Sequence, residues 1–289
     1  MAEIVGVHGI AQQFTSGFEL SSLWLPALQG GLAAAGYSTL AQTLGDRDLR
    51  VAFFGDLFRP PGAMAAQYPP YSPGDVQRGP ELDMLDEFYQ AAVAQEPSLG
   101  PPAGAMAPGR VPAQVMVERL LRSKTFAGVA QRALIGSLKQ VNRFLADNAT
   151  RHRVLACVHQ EMGDDTRVLI GHSLGSVVAY EYLCQYQPAS VRLLVTLGSP
   201  LGILNLVFDR LTPLPAAGHG MWPGTVANWV NVAAADDVVA LRKQLAALFP
   251  GPSGSTLSDR LTNNGNEPHA VNRYLNARET GSALGDVLP

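Results

Sequence analysis

Val168-Leu169-Ile170-Gly171-His172-Ser173-Leu174-Gly175-Ser176 joins an apolar run to a helical pattern that continues through Val177, Val178, Tyr180, Glu181, Tyr182 and Leu183. A serine in a G-x-S-x-G run, set between a strand and a helix, sits on a tight turn that lifts its hydroxyl above a sheet edge. Such a turn forces the central residue into strained backbone geometry. Side chains at the flanking positions would strike neighbouring backbone, which calls for glycine there. The serine also lies at a helix N-terminus, where the dipole favours negative charge. Ser173 is therefore a candidate nucleophile. The other small-residue cluster, Gly251-Pro252-Ser253-Gly254-Ser255, has no strand before it and reads as a loop.

Outward from this stretch, strands alternate with helices. Glu3–Gly9 and Leu49–Phe54 read as strands, with a helix over about Ser22–Ala35 that Gly36 stops. Helical patterning dominates from Pro112 to Met162. Val191–Leu197 is a strand that enters Gly198-Ser199-Pro200-Leu201-Gly202, and Asn228–Ala235 is another that ends in Asp236-Asp237. Pro250–Pro268 reads as a turn-rich loop carrying His269, followed by a short helix over Ala270–Ala277. This alternation predicts a mainly parallel sheet with helices on both faces.

One stretch differs in character. Residues 59–112 carry Pro-Pro at 60–61, 69–70 and 101–102, with helical spacing only over Glu81–Gln95. It is too long for an ordinary connection. The expected organisation is one domain over 1–289 with a helical, Pro-rich cap or lid inserted at about 59–160. Met64, Tyr68, Tyr71 and Met106 in that insertion could equally line an apolar cleft or form the core of the cap itself.

Composition narrows the function classes. Of the 289 residues 47% are hydrophobic and 16% charged, enough for a large core, and the net charge of −3 argues against nucleic acid as a partner. Basic residues over 110–153 and acidic ones over 75–96 are expected to be solvated helix faces or to pair with each other. Attraction to an anionic substrate or membrane surface is the weaker alternative. Cys157 and Cys184 lie in apolar helical patterns as buried free thiols, and no Cys/His spacing suggests a metal site. With no signal-like or membrane-spanning run, the expected location is cytoplasmic.

A serine hydroxyl needs a base, and the base needs an orienting acid. Where the serine sits on such an elbow, acid and histidine follow it in the chain. Of the six histidines only His219 and His269 do so, and His219 lies in a Gly-rich surface loop, so His269 is the candidate base. Among the acids between them, Asp209 sits in an apparent helix and Asp259 in the Ser/Gly loop, as a cap or turn residue. Asp236 and Asp237 end a strand at its carboxyl end, where active sites of open α/β sheets collect. Adjacent residues point opposite ways, so one of the two is the acid. Backbone donors for a developing oxyanion are expected from Leu174 N–H and from the loop after Val7-His8, with Gly9 allowing close approach and Ile10 donating. His8 reads as an orienting or structural residue, a second catalytic role being the alternative.

Taken together, Val7-His8-Gly9, Gly171-His172-Ser173-Leu174-Gly175-Ser176, the strand-end aspartate and the late histidine resemble the α/β-hydrolase superfamily. Within it the chain is most similar to lipase-like serine esterases, including the group similar to inositol deacylases. That group commonly presents its acid as Trp-Val-Asn-Val followed by Asp-Pro-Val-Ala. Here Trp229-Val230-Asn231-Val232 is followed by Asp237-Val238-Val239-Ala240, which favours Asp237 over Asp236 although valine replaces the proline. The likeness covers roughly 1–55 and 165–280. It implies an α/β-hydrolase fold and a Ser173–His269–Asp237 triad that cleaves a carboxyl ester of a small acyl substrate, an apolar one being among the options, without cofactor or metal. Peptidase, thioesterase and acyltransferase chemistry, or a non-catalytic binding protein on the same fold, are the alternatives.

Overall fold

A computed structural model describes residues 2–59, 69–100 and 111–288. Six strands form one sheet: β1 (Ile4–Val7), β2 (Leu49–Ala52), β3 (Val168–His172), β4 (Leu193–Leu197), β5 (Asn228–Ala234) and β6 (Thr256–Thr262). Their order is β2-β1-β3-β4-β5-β6, and every neighbouring pair is parallel. β1, β3 and β4 are buried along their whole length, as strands covered on both faces must be. Alternate residues serve the two layers. Ile4, Val168 and Ile170 join Trp24, Leu28 and Leu32 of α1 (Gly17–Ala34) on one face, with α8 (Val271–Leu275) and α9 (Arg278–Gly285). Val5, Val7 and Leu169 face Val177 and Val178 of α7 (Leu174–Tyr186) on the other. α2 (Ser38–Thr43) lies between α1 and β2 in sequence.

The chain runs outward from β1 to β2 and then crosses back to place β3 on β1's other side. Such a reversal opens a crevice beyond the strands' carboxyl ends. The Val7–Gly9 turn and the Gly171–Gly175 turn flank it.

Between β2 and β3 lie α3 (Pro80–Gln95), α4 (Ala113–Leu120), α5 (Gln131–Ala146) and α6 (Asn148–Glu161). α6 packs on α7 and β2. α3, α4 and α5 bury Met84, Leu85, Phe88, Met116, Leu120, Leu134 and Leu138 in a shared core, with the Phe88 and Phe126 rings 6.1 Å apart. Acidic and basic stretches meet here: Lys139 Nζ lies 3.1 Å from Glu81 Oε2. The group touches the sheet's carboxyl end, where Thr125 Oγ1 donates to Asp236 O at 3.2 Å. Met64, Tyr68 and Met106 fall outside the described residues.

Two local readings are corrected. Thr256–Thr262 is the edge strand β6, not part of a loop. Its polar residues and exposed edge hide the apolar run that marks an inner strand. Asp259 therefore sits on a strand, and its carboxylate accepts from Asn231 Nδ2, Leu245 N and Ala246 N at 2.9, 2.8 and 3.0 Å. Asp209 lies on a single 3-10 turn, Phe208–Arg210, rather than in a longer helix. Among the described residues no helix is long and apolar enough to cross a membrane.

Candidate active site

Ser173 occupies the turn between β3 and α7 at φ 54°, ψ −129°, a conformation L side chains rarely adopt. Both flanking glycines are required by space. A Cβ on Gly171 would lie 2.5 Å from Gly175 O, and one on Gly175 would lie 2.1 Å from Val7 O. Holding a residue here costs on the order of 1–3 kcal/mol, so the surroundings must over-determine it. Ser173 N donates to Leu197 O at 2.9 Å, and Ser176 Oγ donates to Ser173 O at 2.6 Å while meeting Ser199 Oγ at 2.7 Å. Ser199, in the loop after β4, thus braces the turn.

His269 lies between β6 and α8. Its Nδ1 is 2.8 Å from Asp237 Oδ2. Asp236 is exposed and points away, whereas Asp237 is fully buried. That carboxylate accepts two further hydrogen bonds: Oδ2 also accepts from Tyr274 OH at 2.7 Å, and Oδ1 accepts from Val239 N at 2.9 Å. Burial by itself would raise the Asp237 pKa. The adjacent His269 and the hydrogen bonds from His269, Tyr274 and Val239 outweigh it and hold the carboxyl below its ordinary value. An ionised Asp237 makes Nδ1 the protonated nitrogen of a neutral His269. Nε2 is then an acceptor; it is buried and has no hydrogen-bond partner. Ser173 and His269 line one cleft without a hydrogen bond between them at Nε2. In free enzymes such bonds are often loose until substrate binds.

The neighbouring histidines are structural. His172 donates from Nε2 to the His269 carbonyl at 3.0 Å, with ring centroids 4.8 Å apart, and burial pushes its pKa down to about 3. It stays neutral and pins the loop that carries His269. His8 accepts from Phe54 N at Nε2 (3.1 Å) and donates from Nδ1 to Gly9 O (2.6 Å), stacked on Phe54 at 3.9 Å. Burial lowers its pKa to about 4, leaving it neutral. His219 is exposed in its loop.

Gly9 backs directly onto the serine: a Cβ there would lie 2.8 Å from Ser173 Cβ. Ile10 follows and lines the cleft. Leu174 is the first residue of α7, so its N–H is among those a helix leaves without an internal acceptor. Ala11 turns the loop at φ 68°, and its N–H donates to Gln140 Oε1 of α5 at 3.2 Å. Sequence reasoning missed Gln140, Tyr274 and His172 as supports. Only Tyr274, five residues after His269, carried any positional hint.

The cleft itself is walled by α5 and the Phe126 loop, through Phe126, Leu134 and Ser137. Tyr71 does not reach it. Its ring lies under Lys139 Nζ, 5.5 Å away, beside a separate pocket lined by Gln13, Gln140 and Arg143.

A family model described as alpha/beta hydrolase fold matches residues 145–283, a span that holds Ser173, Asp237 and His269. No curated protein and no solved structure matches the chain.

Proposed function

This chain belongs to the α/β-hydrolase superfamily, and on that premise we propose that it is a serine hydrolase that cleaves carboxyl esters through an acyl-enzyme. The observation that carries the reading is His269, held by Asp237 at Nδ1, with Nε2 unpartnered and buried in the cleft that contains the strained Ser173.

Ser173 Oγ attacks the ester carbonyl carbon as His269 Nε2 takes its proton. The carbonyl oxygen becomes an oxyanion that Leu174 N–H and Ile10 N–H stabilise, Gly9 allowing the backbone to come close. The tetrahedral species collapses, the bond to the alcohol oxygen breaks, and His269 returns the proton to that oxygen. Water, deprotonated by His269 Nε2, then attacks the acyl-enzyme carbonyl; the bond to Ser173 Oγ breaks, His269 returns the proton to that oxygen, and the acid is released. Asp237 stays ionised throughout, orienting the ring and balancing the imidazolium. The α3–α5 group acts as a cap over this site. The apolar walls favour an ester carrying an apolar acyl group over a charged peptide.

A fluorophosphonate probe tests the reading. The folded chain is expected to label, and Ser173→Ala to lose the label while keeping its fold. Failure of the folded wild-type chain to label would instead favour a non-catalytic binding protein on this fold.

A further inference from the structure

The cleft at Ser173 has two arms that differ in chemistry. One is open and carries Lys124, Thr125, Asn266 and Glu267 at its rim, with Ala270 and Val271 just beyond His269. The other runs inward between α3 and α5 as a narrow, apolar channel. Its walls are Met84 and Phe88 of α3, Leu138 and Val141 of α5, and Pro200 and Val239 from the sheet end. Among the described residues, the only polar side chain lining it away from Ser173 and His269 is Ser137, whose hydroxyl already donates to Ala133 O at 2.7 Å. Phe126 and Leu134 stand where the arms meet.

Resting on the acyl-enzyme reading, we propose that the inner arm holds the acyl chain and that the preferred substrate is an ester of a medium-length aliphatic acid, of about eight carbons. Three arguments converge. A polar or charged acyl group would lose its hydration in the inner arm with no partner to replace it. Leu174, whose N–H faces the carbonyl oxygen, lines the inner arm, while the residues after His269, which must protonate the leaving oxygen, line the open one. The leaving alcohol must also depart before water enters, which an open arm permits and a closed one does not.

Length follows from the helix. From Leu134 to Val141 α5 advances about 10 Å at about 1.5 Å per residue. An extended alkyl chain with C–C bonds of about 1.5 Å advances roughly 1.3 Å per methylene, so about eight carbons reach Val141. Each buried methylene contributes about 0.8 kcal/mol, or roughly a fourfold gain, until the chain meets the end wall.

The test is a p-nitrophenyl ester series of acetate, butyrate, hexanoate, octanoate, decanoate and palmitate, run beside fluorophosphonate labelling of the same preparation. The expected result is a kcat/KM that climbs about two- to fourfold per methylene to octanoate and falls by palmitate. Val141→Phe is expected to lower the octanoate-to-butyrate ratio at least tenfold. Inactivation of the wild-type chain by alkyl fluorophosphonates of increasing length should follow the same order, which requires no variant. A labelled enzyme whose kcat/KM is flat or greatest for acetate overturns the acyl-channel assignment and leaves the hydrolase reading standing. An unchanged ratio in folded Val141→Phe overturns it too. A folded chain that does not label overturns both.

Discussion

The Tyr274 hydroxyl donates to the same Asp237 Oδ2 that binds His269 Nδ1, at 2.7 Å against 2.8 Å, and in turn accepts from Ala234 N at 2.9 Å. The final helix is thereby wired to the end of β5 through the acid. Tyr274→Phe removes a donor from the carboxylate and leaves Ala234 N–H without an acceptor in the core. Loss of about 1–3 kcal/mol is expected from denaturant unfolding.

The choice of acid is testable by a matched pair. Asp237→Asn is expected to lower kcat by about 10⁴-fold, because the amide favours the wrong histidine tautomer. Asp236→Asn, at an exposed position whose backbone oxygen alone is used, should stay within about twofold of wild type. Equal losses in steady-state kinetics would refute the assignment.

Gln140 is a positioning residue. It holds Ala11 N–H from α5 while Ala11 sits at φ 68°, which is costly for a residue with a Cβ. Gln140→Ala should let the loop relax away from Ser173, lowering kcat by about tenfold or more with a smaller change in KM. Gln140→Glu keeps the acceptor oxygen and should restore much of the loss. Gln140→Met, which keeps the volume but has no acceptor oxygen, should not restore it; recovery in Gln140→Met would mark a defect of packing instead.

Glu181 of α7 faces Arg151 of α6 at 3.0 Å and accepts from Thr212 N at 2.8 Å. Burial raises its pKa to about 7, against the opposing pull of Arg151. A raised folded-state value means the protonated form is favoured on folding. Its contribution is full below about pH 4.5 and is lost as pH rises through about 7. The stability of wild type relative to Glu181→Gln, from urea midpoints, should therefore fall across that window. A difference independent of pH would contradict it.

Local chemistry was legible from residues alone. The strand, the serine turn and the helix after it are encoded in one short run from Val168 to Leu183, because a turn this tight admits only glycine at Gly171 and Gly175. His269 emerged from chain order. β6 did not, since an edge strand with Ser258, Asp259 and Arg260 in succession at its centre carries little apolar signal.

Sequence by itself thus determined the parallel α/β architecture and singled out a candidate serine, a candidate histidine and a pair of candidate acids. Packing separated Asp237 from Asp236, since a strand end turns adjacent side chains opposite ways and burial at the Tyr274 contact selects one. It also tied Gln140 to Ala11 across 129 residues and brought Met84 and Phe88 opposite Leu138 and Val141. Periodicity marks the buried face of each helix but not the partner that face will meet. That depends on how whole elements stack over the sheet end, where distances between residues far apart in the chain are set.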